Sequence, residues 1–217
     1  MPEDRWPVRV GVNVMRARLT LIGFNIAIVS FQIAMLNRVP GGVRVAGLEH
    51  RVHVEADIAL FIALALSLVA MIAYIMSSAF DEVGYCTHWM LVAGDLLMYL
   101  ALAHTVAGFF GPATAELEIY AAKLQSHAWE WSIIHAAMIV VGGTVWFLAT
   151  YAGPVVSLLR SPFHRRTNIA LGVAYLATLL ALAWVNAQAF RVATLAAAGE
   201  PGLIVSVLRE LVQPLRW

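Results

Sequence analysis

Apolar residues in this chain gather in five long runs separated by short polar stretches, at about 19–36, 57–79, 88–110, 127–151 and 168–198. Each run reaches the roughly 17 residues that a helix needs to cross a hydrocarbon core of about 30 Å. The second is the clearest, with no charged residue from Ile58 to Phe80. Asn37, Arg38 and the Pro40, Gly41, Gly42 turn stop the first run, while Gly111 with Pro112 and Gly153 with Pro154 are expected to close the third and fourth. Asp57 is placed to cap the start of the second. The pattern predicts an all-α integral membrane protein, a single domain over 1–217 built as a bundle of about five transmembrane helices.

The connections carry patterns of their own. Val52, Val54 and Ala56 alternate with Arg51, His53 and Glu55, a period of two that predicts a short extended segment or hairpin on the membrane surface. Residues 113–126 mix apolar and polar positions in the manner of a short amphipathic surface helix. In the tail, 201–217, Leu203, Ile204, Val207, Leu208 and Leu211 recur at helical spacing around Arg209 and Glu210, which predicts a segment lying in the interface. Gly142 and Gly143 fall in the middle of the fourth helix, where a missing side chain admits a close neighbour.

Composition agrees with the pattern and removes several function classes. Of 217 residues, 61% are hydrophobic and 12% charged, and the mean hydropathy is +0.79. Nearly all of that length is used by spans, so any chemistry is built from helices and short loops. A net charge of +1 without a basic run excludes a nucleic-acid partner. Cys86 is the only cysteine, which excludes an internal disulfide and any multi-cysteine metal site in one chain. No phosphate-binding loop, zinc-protease motif, nucleophile elbow or potassium-filter sequence is present, which points away from an enzyme. The N-terminal residues lack the apolar core and cleavage site of a secretory signal, so the first span is expected to be retained. Five spans place the termini on opposite sides. Basic residues divide evenly, but the densest groups, Arg5, Arg9, Arg16 and Arg18 and then Arg160, Arg165 and Arg166, lie on the N-terminal side. That predicts a cytoplasmic N-terminus in a membrane of the bacterial inner type.

Candidate chemistry rests on ionisable groups in or beside the apolar runs. Asp95, His104, Glu130 and His135 form the expected ion pathway, because such groups are costly in lipid and usually face the bundle interior. If the third helix ended at Gly111, His104 and His135 would stand about 9–12 Å below the same end of antiparallel neighbours. In that arrangement the pair could bind a b-type haem or a copper or iron ion, giving a membrane redox subunit as the rival reading. Asp95 lies nine positions from His104, roughly opposite on the helix, which suggests that one of them faces a partner in a homo-oligomer. His50, His53, Glu55, Asp57, His127 and Glu130 fall on one side of the membrane and could assemble a divalent-cation or pH-sensing cluster at a mouth. Asn168, Tyr175 and Asn186 form a narrow polar stripe on the fifth helix. The first expectation is therefore a channel or exchanger for a proton or small cation; a third, different in kind, is a structural subunit docked on larger membrane partners.

Overall fold

The computed structural model describes residues 8–36, 38, 42–44, 51–79, 89–123, 128–194 and 202–217. They are helical almost throughout: α1 Val8–Leu36, α2 Val54–Ala79, α3 Met90–Lys123, α4 Ala128–Phe147, α5 Gly153–Leu159, α6 Arg165–Thr194 and α7 Leu203–Glu210, with a closing 3-10 turn Gln213–Arg216. A π-turn, Leu148–Ala152, joins α4 to α5 without a break. Five of these bodies are long and apolar enough to cross a membrane: Met15–Leu36, Val54–Ala79, Met90–Lys123, Trp129–Leu159 and Arg165–Val192. The predicted hairpin is present as a two-residue antiparallel ladder, Val43 opposite Val52 and Arg44 opposite Arg51. Its period of two ends earlier than expected, because Val54–Ala56 already belong to α2. Asp57 consequently sits inside the first turn, its N–H bonded to His53 O at 2.8 Å, and does not cap the helix.

Two glycine-proline pairs, expected as helix ends, are passed through. Pro112 cannot donate to Gly108 O, and its ring crowds that carbonyl; glycine at 108 makes room for the Leu60 side chain of α2. Two residues on, the Thr114 hydroxyl lies 2.8 Å from Phe110 O and 2.9 Å from Gly111 O, back-bonding within its own turn. α3 nevertheless continues to Lys123 and absorbs the segment expected as a separate surface helix. At Pro154 the lost donor would have served Thr150 O. The Tyr175 hydroxyl of α6 donates there instead, and the Gly153 N–H reaches back to Leu148 O in the π-turn.

α3 is the central helix, with 56% of its span window buried against 22–33% for the other four. Two polar staples tie it to α1 and α2. In one, an Asn25 amide N–H donates to Ser67 Oγ at 2.9 Å, and the Thr105 hydroxyl lies 2.9 Å from Asn25 Oδ1. The other is the Asp95 cluster described below. Against α4 and α5, Gly142 admits the Phe110 ring and Gly153 admits the Tyr99 ring; an added Cβ would lie 2.6 Å and 2.4 Å from them. These contacts set an antiparallel register, and they identify the Gly142 and Gly143 pair as a packing contact, with Gly143 facing Pro214.

The tail docks with its polar side inward. Ser206, Glu210, Gln213 and Pro214 are buried, whereas Leu203, Ile204, Val205 and Leu208 are exposed. Trp217 stacks on Phe110 with ring centroids 5.6 Å apart, and the Tyr151 hydroxyl donates to Leu211 O. An inverted helix of this kind is stable only where its outer face meets apolar surroundings.

Candidate functional site

The register between α3 and α4 decides the fate of the histidine pair. Phe110 opposite Gly142 and Tyr99 opposite Gly153 put His104 level with Leu148 and His135 level with Leu117. The two imidazoles thus differ in height by about 13 residues, or about 20 Å. A single haem, copper or iron centre held by both is ruled out by this distance. The cause is the continuation of α3 past Pro112, which moves its end 13 residues beyond the expected one at Phe110.

Asp95 is also placed differently from the expected pathway. Arg18 grips it with two parallel bonds, Nε–H to Oδ1 at 2.7 Å and Nη2–H to Oδ2 at 2.6 Å, and the Tyr74 hydroxyl donates to Oδ1 at 2.6 Å. Gly94 leaves the space that the Tyr74 ring fills. Asp95 and His104 do lie on opposite sides of α3, but both sides are inside the bundle because α3 is central. The geometric ground for a homo-oligomer thereby disappears. Glu130 is exposed in the first turn of α4, and His135 is half-buried, its Nε2 without a hydrogen-bond partner. Of the four expected pathway residues, only His104 lines either hollow described next.

The larger hollow is a vestibule of about 300 Å³ at the end of the bundle away from the N-terminus. The hairpin and the start of α2 contribute Val52, His53 and Glu55; α3 contributes Ala107, Thr114 and Glu118; α6 contributes Asn186; the tail contributes Glu210, Gln213 and Trp217. Gly42, at φ +71°, precedes the first strand and lines the same mouth; a side chain there would be 2.9 Å from Val52 O and 3.2 Å from His53 Nε2. Of the expected mouth cluster, His53 and Glu55 line the vestibule, Asp57 and Glu130 do not, and His50 and His127 lie outside the described residues. Among the described residues, no three His, Cys, Asp or Glu side chains gather as a metal would require, so the expected divalent cluster is not formed by them.

Asn186, Glu210 and Gln213 also line a second, smaller hollow of about 20 Å³ with His104, Trp146, Thr150, Leu179 and Ala183. His104 is fully engaged there. Its Nδ1 lies 2.9 Å from Leu100 O, which only accepts, so Nδ1 carries a proton and Nε2 is the acceptor. Asn186 Nδ2–H donates to that Nε2 at 3.3 Å, which turns Asn186 Oδ1 away from the ring. Gln213 Nε2–H donates to Glu210 Oε2 at 2.5 Å, which likewise orients its amide. Leu96, Leu100, Tyr175 and Leu179 pack as one buried cluster, and Leu179 also lines the small hollow.

Thr150, Glu210, Gln213 and Glu118 gave no sign in the sequence. Glu210 and Gln213 belong to a tail whose apolar spacing pointed the other way, and Thr150 is an ordinary residue of an apolar run. Asn186 belongs to the polar stripe, whose members each bond a neighbouring element: Asn168 Nδ2–H to Leu158 O at 3.3 Å, Tyr175 to Thr150 O, and Asn186 to His104. Trp146 is buried against the small hollow. No protein-family model, curated protein or solved structure matches the chain.

Proposed function

We propose that the chain is an integral membrane protein that exchanges a small cation between the two sides of a membrane, loading it from the vestibule. The observation that carries this reading is the acidic vestibule: Glu55, Glu118 and Glu210 line it, and Asn186, Glu210 and Gln213 are common to it and to the small hollow beside His104; we read the two as a funnel and the buried cluster of Leu96, Leu100, Tyr175 and Leu179 as its apolar plug. Carboxylates at a low-dielectric mouth concentrate cations, and oxygen ligands deeper in replace part of the hydration shell. A site open on one side and closed on the other suits stepwise exchange better than a continuous pore. Membrane insertion is supported by the large apolar side chains that face outward on every span, among them Phe24, Phe31, Ile72, Val140, Val173 and Leu176. With the N-terminus cytoplasmic, the vestibule opens on the far side.

The test is uptake into proteoliposomes of labelled sodium and rubidium, with proton movement followed by an internal dye. Saturable flux, reduced at least about tenfold by Glu210→Gln while the variant elutes as the wild type does in detergent, is the expected result. Equal leakage from protein-containing and empty vesicles for all three ions removes the reading and leaves a packing role.

A further inference from the structure

Residues 203–217 go into the bundle and come back. Going in, α7 runs along α6: the Arg209 guanidinium lies 4.7 Å over the Phe190 ring, Glu210 shares both hollows with Asn186, and Leu211 packs against the buried cluster that contains Tyr175 and Leu179. Each step forward in the tail meets α6 at a residue farther from the mouth. Coming back, Pro214 meets Gly143 on α4 and Trp217 stacks on Phe110, both at the level of the vestibule. The turning point is level with His104, which lines the small hollow with Glu210 and Gln213. Gly108, one turn of α3 nearer the mouth, abuts Leu60 and Ala56 O of α2. His104 and the deepest part of the tail therefore lie on the order of 10 Å below the start of α2 at Val54.

At that depth the outer face of the tail is apolar. Ile204, Val205, Leu208 and Leu215 are exposed, whereas Ser206 and Glu210 are buried against the protein. A helix resting on a membrane surface does the opposite and keeps its polar side in water. The charge on the outer side, Arg209, carries its guanidinium to Phe190, a turn nearer the mouth than Asn186, as a cation does when it reaches from an apolar layer towards water. The irregular turn has its backbone groups met inside the protein: Leu211 N–H bonds Val207 O and Leu208 O, Val212 N–H bonds Arg209 O, Leu215 N–H bonds Val212 O, and Leu211 O accepts from the Tyr151 hydroxyl. Non-helical backbone is tolerated at membrane depth only on that condition. On both flanks the apolar face continues into outward side chains of the spans, Val141 and Val145 of α4 and Leu180 and Trp184 of α6. We infer that residues 203–217 are a re-entrant element of the membrane domain, which dips in from the vestibule side with its outer face against lipid acyl chains and its inner face as the wall that closes the vestibule between α4 and α6. The inference rests on the membrane insertion proposed above and not on cation exchange.

The experiment is nitroxide labelling of the full chain in liposomes. In a Cys86→Ser background, one cysteine at a time is introduced by Ile204→Cys, Leu208→Cys or Leu215→Cys, with Leu180→Cys on α6 as the reference for a span; all four positions are exposed. Power saturation compares collisions with oxygen, which concentrates in lipid, and with a water-soluble nickel chelate. Oxygen is expected to outnumber nickel at Leu208 as it does at Leu180. The depth should run down and up again, with the Leu208 label about 6 Å deeper than the Ile204 label, one helical turn away, and the Leu215 label shallower than Leu208. Nickel outnumbering oxygen throughout the tail, with the Leu180 label in lipid, places the tail in water and overturns the inference while the exchange reading stands. One common depth for the three tail labels overturns it as well, since that is a helix lying flat on the surface. A Leu208 label shielded from both reagents is covered by a second copy or another protein, which overturns the lipid face. Nickel reaching the Leu180 label too removes membrane insertion, and with it both this inference and the exchange reading.

Discussion

Asp95 shows how a charged residue in an apolar run can be structural. It is held by Arg18 in a bidentate pair and by the Tyr74 hydroxyl, from two other helices. Removing one partner of such a pair strands the other. Because Arg18 is 23% exposed, part of the penalty for a fully buried pair is relieved by solvent. Asp95→Asn is therefore expected to destabilise by about 2 kcal/mol, measured by thermal unfolding in detergent, and to leave flux per folded molecule unchanged. Arg18→Leu with Asp95→Leu together should be milder than either alone. A flux lost in Asp95→Asn at full folding would return this residue to the pathway. The ionisable character of Asp95 and His104 was legible in the sequence; their partners, 77 and 82 residues away, were not.

At the scale of the element, helices here end where packing lets them and not where glycine and proline stand. In water a proline inside a helix costs about 3 kcal/mol. In this bundle Tyr175 donates to Thr150 O, the carbonyl that Pro154 leaves without its donor, and Thr114, two residues past Pro112, bonds Phe110 O and Gly111 O in its own turn. Thr114→Val is expected to cost about 1 kcal/mol in unfolding measurements, and Tyr175→Phe a similar amount. Gly142→Val pushes against the Phe110 ring, where even a Cβ would lie at 2.6 Å. It is expected to destabilise by about 1–3 kcal/mol through overpacking between α3 and α4, and Phe110→Ala in the same chain should relieve most of it. The tail helix carries the complementary lesson. Its leucine spacing correctly describes an amphipathic helix, yet the face that enters the protein is the one bearing Ser206 and Glu210.

For the whole molecule, the arrangement makes a prediction about sidedness. In a Cys86→Ser background, Ala107→Cys in the vestibule should react with a small membrane-impermeant thiol reagent added from the side opposite the N-terminus. A cysteine replacing Leu100, in the plug, should be protected from both sides. Reaction of the Ala107→Cys variant only from the N-terminal side would contradict the direction of the funnel. The five spans alternate, so loops before α2 and after α3 share the tail's side, and that is why residues from four separate stretches meet at one mouth.

The five helices long and apolar enough to cross a membrane, and the hairpin between the first two, are determined locally, because twenty apolar residues without a charge declare themselves whatever surrounds them. The site is another matter. Whether a proline stops a helix, which side of a tail turns inward, and which oxygen of an amide is left over all depend on partners that the chain supplies from far away. His104 took Asn186 as its partner in place of His135 because α3 ran on past Pro112, and that one continuation separated the two histidines and left His104 beside a small hollow closed by the C-terminal turn.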